Sequence, residues 1–114
     1  MIKDNLIEAI EALGIPCYYA RTAPQENLEQ YITFYCSDSN DVAIFDNRRH
    51  VTNWSFEVAY YDADPTRREA MKYTIREALE KAKFFTDGIG WDLLRAGENE
   101  LDGWLMSFEY LELV

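Results

Sequence analysis

The pattern of hydrophobic and polar positions begins with an amphipathic segment over residues 2–13. Its apolar side chains recur every three or four positions and so share one face of a helix: Ile2, Leu6, Ala9, Ile10 and Leu13. Gly14 follows where helices commonly end, and Pro16 prevents the helix from resuming. The pattern therefore predicts a first helix over residues 2–13.

Runs of β-forming residues separated by polar segments follow this helix. They predict strands at residues 15–21, 31–36, 42–45 and 51–61, with a loop over 22–30 and a turn over 37–41. The longest run alternates strictly, so that one face carries Thr52, Trp54, Phe56, Val58 and Tyr60. We expect the strand at 51–61 to lie at the centre of the sheet.

A second helix is predicted to begin near residue 64. Asp64 can act as the N-cap with Pro65 at the first helical position, or Thr66 and Glu69 can form a capping box. An apolar stripe follows at helical spacing: Met71, Ile75, Ala78, Leu79 and Ala82. Three basic residues fall four apart and are expected on a solvated side: Arg68, Lys72 and Arg76.

Two further strands complete the pattern after a loop at residues 86–90. They are predicted at 91–95 and 103–114, joined through a turn at 96–100, and the second alternates again with Trp104, Met106, Phe108 and Tyr110 on one face. The element order α-β-β-β-β-α-β-β contains no crossover units. It predicts an α+β fold with a mostly antiparallel sheet of about five to six strands and two packed helices. At 114 residues, the chain has the size of one domain, 1–114.

Composition narrows the classes of function. The chain has 21 acidic and 11 basic residues, a net charge of −10, whereas phosphate contact requires a basic face, so specific nucleic-acid binding is not expected. No apolar run reaches the roughly 20 residues of a membrane helix, and no basic start precedes an apolar run as in a secretory signal. Cys17 and Cys36 match no metal or redox spacing and are predicted to be buried thiols, which favours the cytoplasm.

No sequence pattern typical of an active site is present. The lone histidine, His50, lies on a polar turn, and no Cys/His cluster has the spacing of a zinc site. Gly88 and Gly90 lack the further glycine of a dinucleotide-binding loop. We predict no catalytic, cofactor-binding or metal-binding residue and no cofactor. A small enzyme that uses Asp62, Asp64 or His50 is kept as an alternative.

Aromatic residues exceed what one core face requires. Four tyrosines lie on the second faces of their strands: Tyr18, Tyr31, Tyr35 and Tyr61. Either helices cover both faces of the sheet and bury these rings, or their tips reach water, or the rings form a protein-binding surface, where tyrosine is favoured. Glu57 and Glu109 fall on the more polar faces of their strands and lie close together only if those strands are neighbours.

Several short sequence segments resemble one class of protein. They are Leu13–Pro16, Tyr31–Tyr35, Phe45–Val51, Val58–Tyr61, Arg76–Leu79 and Gly103–Tyr110. Together they resemble the small tail proteins of long-tailed bacteriophages and prophages, often labelled minor capsid or tail-completion proteins. The tail terminator is the nearest functional class. The resemblance spans nearly the whole chain and rests on arrangement and composition.

This resemblance implies an assembly function. Terminators form a ring, usually hexameric, on the head-proximal end of the tail tube, where they stop further addition of subunits and present a face to the head connector. The expected partners are then other copies of the chain, the tail tube protein and the head–tail connector protein, with no membrane. The expected location is the host cytoplasm during assembly and the tail or neck of the virion afterwards. Such a role needs no catalysis, cofactor or metal.

In such rings, loops between strands commonly reach the partner. On that analogy we predict a partner contact at Asp46, Asn47, Arg48, Arg49 and His50. Arg48 and Arg49 are the expected anchors, because arginine forms planar, bidentate pairs with carboxylates; an ordinary solvated hairpin tip is the alternative. A head–tail joining (neck) protein and an acidic monomeric inhibitor that occupies a DNA-binding site are the other functions kept open.

Overall fold

Five strands and two helices make up the part of the chain that the computed structural model describes, residues 2–19, 28–95 and 101–113. In chain order these elements are α1 (Ile2–Glu11), β1 (Cys17–Tyr19), β2 (Gln30–Phe45), β3 (Arg48–Asp62), α2 (Pro65–Lys81), β4 (Trp91–Leu93) and β5 (Gly103–Leu113). The α+β class predicted from the sequence is confirmed.

All the strands belong to one sheet, in the order β1-β2-β3-β5-β4. The long strand β3 lies at its centre, antiparallel to β2 on one side and to β5 on the other, as its strict alternation predicted. β4 is also antiparallel to β5, whereas β1 joins β2 in parallel through the pairs from Cys17↔Ile32 to Tyr19↔Phe34. The sheet is therefore mostly antiparallel, with one parallel pair at its edge.

The turn predicted at residues 37–41 is wrong. β2 runs from Gln30 to Phe45 and joins the two strands predicted at 31–36 and 42–45. Register shifts between Cys36 and Asp38, and again between Asp41 and Ala43, mark the polar segment. Residues 37–42 are exposed, so polar side chains need no burial there, and bulges accommodate them within an extended strand. Turn-forming composition thus marks irregularities in β2 and not its end.

Both helices pack on the same face of the sheet and enclose the core. That face contributes Ile32, Phe34, Phe56, Val58, Tyr60, Met106 and Phe108, and the helices contribute Leu6, Ile10, Ile75 and Leu79. Each apolar side chain buried in this way stabilises the fold by about 1.5–3 kcal/mol relative to its exposed state. The alternation predicted for the strands at 51–61 and 103–114 is confirmed on this face.

The start of α2 follows the first of the two predicted capping schemes. The Asp64 side chain accepts hydrogen bonds from the backbone N–H groups of Thr66 and Arg67, and Pro65 occupies the first turn. This satisfies N–H groups that have no partner within the helix.

The solvated basic row predicted on α2 is wrong for one member. Lys72 is only 7% exposed, because α2 lies against β5 at this point. Its Nζ lies 4.0 Å from the centre of the Trp104 ring and 2.7 Å from Glu69 Oε1. The charge is thereby held between an aromatic face and a carboxylate, which offsets its burial.

The remaining predicted connections are only partly described. The predicted turn at residues 96–100 and most of the predicted loop at 22–30 lie outside the described residues. Neither α1 nor α2, the helices of the described part, has the length and apolar character needed to cross a membrane.

Candidate protein-interaction surfaces

The hairpin of β2 and β3 projects from the body of the protein. The molecule measures 54 × 23 × 22 Å, and its radius of gyration is 15.2 Å. A compact domain of this length would have a radius of gyration of about 13 Å. We call residues 37–53 the hairpin arm. The last described pair of β3 with β5 is Val51↔Leu113, and the tip of the hairpin lies roughly 10 Å beyond this pair.

A two-residue turn closes the arm at Asp46 and Asn47. Their φ angles are 54° and 59°. Positive φ at both central residues is the requirement of a type I′ turn, whose twist matches that of the flanking strands. Asp and Asn tolerate this left-handed conformation better than most residues do. The pair Phe45↔Arg48 follows directly, so the local sequence determines the register of the tip.

The structure brings the five predicted contact residues together at this tip. Asp46, Asn47 and Arg48 are exposed, while Arg49 lies opposite Ile44 at the start of β3, next to His50. For Arg49 and His50 only the backbone position is described. The tip carries one carboxylate and two guanidinium groups in a chain whose net charge is −10, so it is locally basic. Its contact with a partner stays a prediction.

Of the three residues of the enzymatic alternative, His50 lies far from Asp62 and Asp64. His50 lies near the tip, whereas Asp62 ends the same strand at the other extremity of the sheet. Twelve positions of extended strand separate the two by about 40 Å. A shared active site of His50 with Asp62 or Asp64 is therefore excluded within one chain.

The sheet face opposite the helices is the second candidate surface. Strand residues alternate between faces, so the positions between the core residues point away from α1 and α2. No helix of the described segments covers them. We call this surface the helix-free face; its members include Tyr18, Tyr31, Tyr35, Glu57, Ala59, Tyr61, Leu105, Ser107, Glu109 and Leu111. The idea that helices cover both faces is thereby excluded for the described helices.

Three tyrosine rings on this face contact one another. Tyr31 and Tyr61, which are opposite residues of β2 and β3, stack with centroids 4.8 Å apart. Tyr18 meets Tyr31 edge to face at 6.3 Å. Gly103 lies opposite Tyr61, and a Cβ there would approach the Tyr61 ring to 2.9 Å, so glycine leaves room for the stack. The sequence placed these tyrosines on second faces but did not predict their stacking.

Large apolar side chains on the same face are exposed. Tyr35, Phe85, Trp91, Leu111 and Leu113 are exposed by 44%, 41%, 50%, 48% and 78%. Phe85 belongs to this face because it pairs with Glu109, and Trp91 because it lies opposite Leu105. Exposed apolar groups concentrated on one face are typical of a protein–protein contact surface.

Two carboxylates lie among these rings. Because β3 and β5 are neighbours, Glu57 lies opposite Ser107 and Glu109 opposite Ser55, which makes the two acids diagonal neighbours roughly 7–8 Å apart. Tyr35 Oη donates to Glu57 Oε2 at 2.9 Å, and Asn53 Nδ2 donates to Glu109 Oε1 at 3.0 Å. An ionised carboxylate has about four acceptor positions, so both retain capacity for a cation.

One edge of the sheet is open beside the arm. β1 pairs with β2 only from Ile32 to Phe34. Within the described ranges, no strand pairs with the outer edge of β2 from Cys36 to Phe45. An unpaired strand edge presents backbone donors and acceptors to which another chain can add.

Asp62 forms a buried cluster at the junction of β3 and α2. Arg67 holds its carboxylate with two hydrogen bonds of 2.7 and 2.8 Å, Tyr60 Oη donates to Oδ2, and the Asp64 N–H donates to Oδ1 at 2.8 Å. Burial alone would raise the pKa of Asp62, but the hydrogen bonds from Arg67, Tyr60 and Asp64 outweigh it and the pKa is lowered.

The same cluster alters the pKa of its partners. Burial, then the hydrogen bond to Asp62, raises the pKa of Tyr60, while the bond to Asp62 raises the pKa of Arg67. Gln30 Nε2 donates to Tyr60 Oη at 2.8 Å, so this hydroxyl both accepts a hydrogen bond and donates one to Asp62. These hydrogen bonds fix the junction of β3 and α2, which gives Asp62 a structural role.

The two cysteines are free and partly buried. Burial, aided by the charge of Glu11, raises the pKa of the Cys17 thiol to about 12, which keeps it protonated and unreactive near neutral pH. Cys36 Sγ donates to the Asp38 carbonyl at 3.4 Å. Among the described residues, no group of three or more His, Cys, Asp or Glu side chains could hold a metal ion.

Comparison with known proteins adds no family to this description. No protein-family model matches the chain, and no curated protein matches it significantly.

Proposed function

We propose that this protein is a virion assembly subunit, a tail terminator that closes into a hexameric ring on the head-proximal end of a phage tail tube. The ring stops polymerisation of the tube and provides the surface that docks to the head connector. The observation that carries the proposal is the projecting hairpin arm with its open strand edge, next to a sheet face that no described helix covers.

These features favour assembly through different surfaces of one chain. The helix-free face is distinct from the arm and from the open edge of β2 that the arm carries, so a contact of this face with either of them joins unlike surfaces of neighbouring copies. Heterologous contacts of this kind generate rings when the rotation closes. An added strand would also cover the open edge of β2, which removes the tendency of a free edge to pair at random.

The proposed role requires no catalytic residue, cofactor or metal. It places the chain in the host cytoplasm during assembly and at the head-proximal end of the tail in the virion. The acidic composition suits a ring through which DNA passes, since a surface of net negative charge does not hold phosphates. The resemblance of the sequence to tail-completion proteins supports the same role.

Tail length is the measurement that tests this function. In a phage or prophage lacking this gene, electron microscopy should show overlong tubes of variable length without heads. Complementation with the wild-type gene should restore tails of one length joined to heads. Antibody labelling of the chain should mark the head-proximal end of the tube.

The other candidate functions give different results in the same experiment. Tails of normal length that fail to attach heads would contradict termination and place the protein in the neck. Normal infectious particles in the absence of the gene would contradict an assembly role altogether. In that case, competition with DNA for a basic partner at low salt would test the acidic-inhibitor alternative.

A further inference from the structure

We infer that the basic tip of the hairpin arm of one copy docks on the helix-free face of a second copy, with Arg48 paired to the carboxylates of Glu57 and Glu109 between the exposed rings of Tyr35 and Phe85. This contact rests on the proposed ring assembly and specifies which surfaces of neighbouring subunits meet. It joins two unlike surfaces, as a closed ring requires.

The tip has the chemistry of an anchor. Arg48 is exposed beside the Asp46–Asn47 turn, and Arg49 is its neighbour in the chain. Arginine pairs with carboxylates through two parallel hydrogen bonds and stacks on aromatic rings. The type I′ turn and the ladder of β2 and β3 hold the tip in one conformation, so little chain ordering is required when it docks.

The helix-free face has the matching chemistry. Glu57 and Glu109 are diagonal neighbours on β3 and β5, and both are only partly buried. Tyr35 borders Glu57, and Phe85 borders Glu109, so each carboxylate adjoins an exposed aromatic ring.

Charge complementarity indicates a second copy as the occupant. The tip is a basic element on a chain that otherwise carries an excess of carboxylates, so the body of another copy attracts it. The tip cannot reach the same face of its own chain. Arg48 and Glu57 lie nine positions apart on one extended strand, a separation of about 30 Å.

A paramagnetic mixing experiment tests this contact directly. A spin label is attached to Val42→Cys, an exposed position on the arm, in an unlabelled Cys17→Ser/Cys36→Ser chain. This chain is mixed with a ¹⁵N-labelled wild-type chain at about 1 mM, where even a millimolar contact is populated. We expect intermolecular broadening of amides around Glu57 and Ser107. A label at the exposed α2 position Thr74→Cys should leave those amides sharp.

Charge-reversal variants show whether the carboxylates of the helix-free face and the arginines of the tip hold the two copies together. Glu57→Lys/Glu109→Lys in the ¹⁵N-labelled chain should reduce the broadening by roughly fivefold or more, because both carboxylates that attract the basic tip become cations. Arg48→Glu/Arg49→Glu in the spin-labelled chain should then restore it. The matched control is Glu8→Lys/Glu11→Lys, which makes the same charge change at exposed positions of α1 and should leave the broadening intact.

Three results would overturn the inference. They are the absence of broadening at this concentration, an equal loss in the α1 control, and a failure of the reversed pair to restore the contact. The proposed function is judged separately by tail length. If a chain that shows no such broadening still gives tails of one length, the inferred contact is wrong and the terminator function is retained.

Discussion

At the scale of single residues, burial decides what a hydroxyl–carboxylate hydrogen bond contributes. Tyr60 and Tyr35 both donate to a carboxylate, but Tyr60 is fully buried whereas Tyr35 is 44% exposed. We expect Tyr60→Phe to lower the free energy of unfolding by about 1–2 kcal/mol, because Gln30 and Asp62 lose a partner that water does not replace. Urea denaturation measures this.

Tyr35→Phe is the matched control. It removes the same hydroxyl at a site that water reaches, so the free energy of unfolding should change by no more than about 0.5 kcal/mol. Equal losses in the two variants would contradict the view that the Asp62 cluster fixes the junction of β3 and α2.

The sequence predicts single residues only where the signal is local. The Asp64 N-cap and the adjacent Pro65 were predictable because both act within one helical turn. The pair Asp62–Arg67 was missed, since its partners are joined across a strand-to-helix junction and not along one helix face. The burial of Lys72 was missed for a related reason: it depends on Trp104, which comes from a distant strand.

At the scale of elements, the approach to β4 depends on a glycine. Gly90 has a φ of 107°, and a Cβ at this position would lie 2.2 Å from the Leu105 carbonyl oxygen and 2.7 Å from Trp104 Nε1. We expect Gly90→Ala to destabilise the fold by roughly 2–3 kcal/mol through backbone strain and overpacking. Tryptophan fluorescence should also change, because Trp104 Nε1 donates to the Ile89 carbonyl.

Gly88 provides the control for this prediction. A Cβ at Gly88 would meet no atom within 4 Å. Gly88→Ala should therefore leave the free energy of unfolding within about 0.5 kcal/mol of the wild type. A tolerated Gly90→Ala would show that the loop before β4 can move away from β5.

The turn of the hairpin arm offers a second test at this scale. Asn47 has a φ of 59°, which glycine adopts without cost and a β-branched residue resists. Asn47→Gly should increase the protection of arm amides in hydrogen exchange, and Asn47→Val should reduce it.

The core part of the sheet provides the internal control for the arm. Amides from Phe56 to Tyr60 should keep their exchange rates in both variants, since local opening of the arm need not unfold the core. An equal change at these amides would show that arm and core unfold together.

The number of strands was predictable only in part, because composition is a weak guide where a strand leaves the core. Alternation identified β3 and β5, whose apolar residues are under the helices. The segment at residues 37–41 has the composition of a turn, yet it continues β2 because its partner strand β3 continues beside it. Pairing between strands, and not local preference, determines the structure there.

At the scale of the whole molecule, the Asp62 cluster should contribute to acid sensitivity. The pKa of Asp62 in the folded state is below its ordinary value of 3.8, so the native state binds fewer protons than the unfolded state. Its contribution to stability is present above pH 3.8 and is lost as the pH falls through the lowered pKa. We expect Asp62→Asn to cost about 1–3 kcal/mol at neutral pH, a difference that shrinks below pH 3.8.

Urea denaturation of both proteins across this pH range tests the prediction, because the other carboxylates titrate in both and cancel. Asp87→Asn removes the same formal charge at an exposed loop position. Its difference from the wild type should stay within about 0.5 kcal/mol throughout. A difference for Asp62→Asn that did not shrink in acid would show that shape, and not charge, accounts for the loss.

Only some features of the candidate surfaces could be predicted from the sequence. The five tip residues lie together because they are consecutive, and their contact with a partner stays a prediction. The tyrosines were placed on second faces by alternation alone. The projection of the arm, the open edge of β2 and the neighbouring position of Glu57 and Glu109 depend on strand order. Strand order is a property of the assembled sheet, so local pattern could not supply it.

The central position of β3 has a consequence for biosynthesis. Its partner β2 is made just before it, but its other partner, β5, begins only at residue 103. While α2 and β4 are being translated, the β5-facing edge of β3 therefore has no partner strand, and the apolar side chains of β3 are not yet fully covered. Contacts between distant parts of a chain form slowly, and exposed strand edges favour misassembly. Ribosome stalling within the α2 coding region should therefore yield more aggregate than stalling after β5.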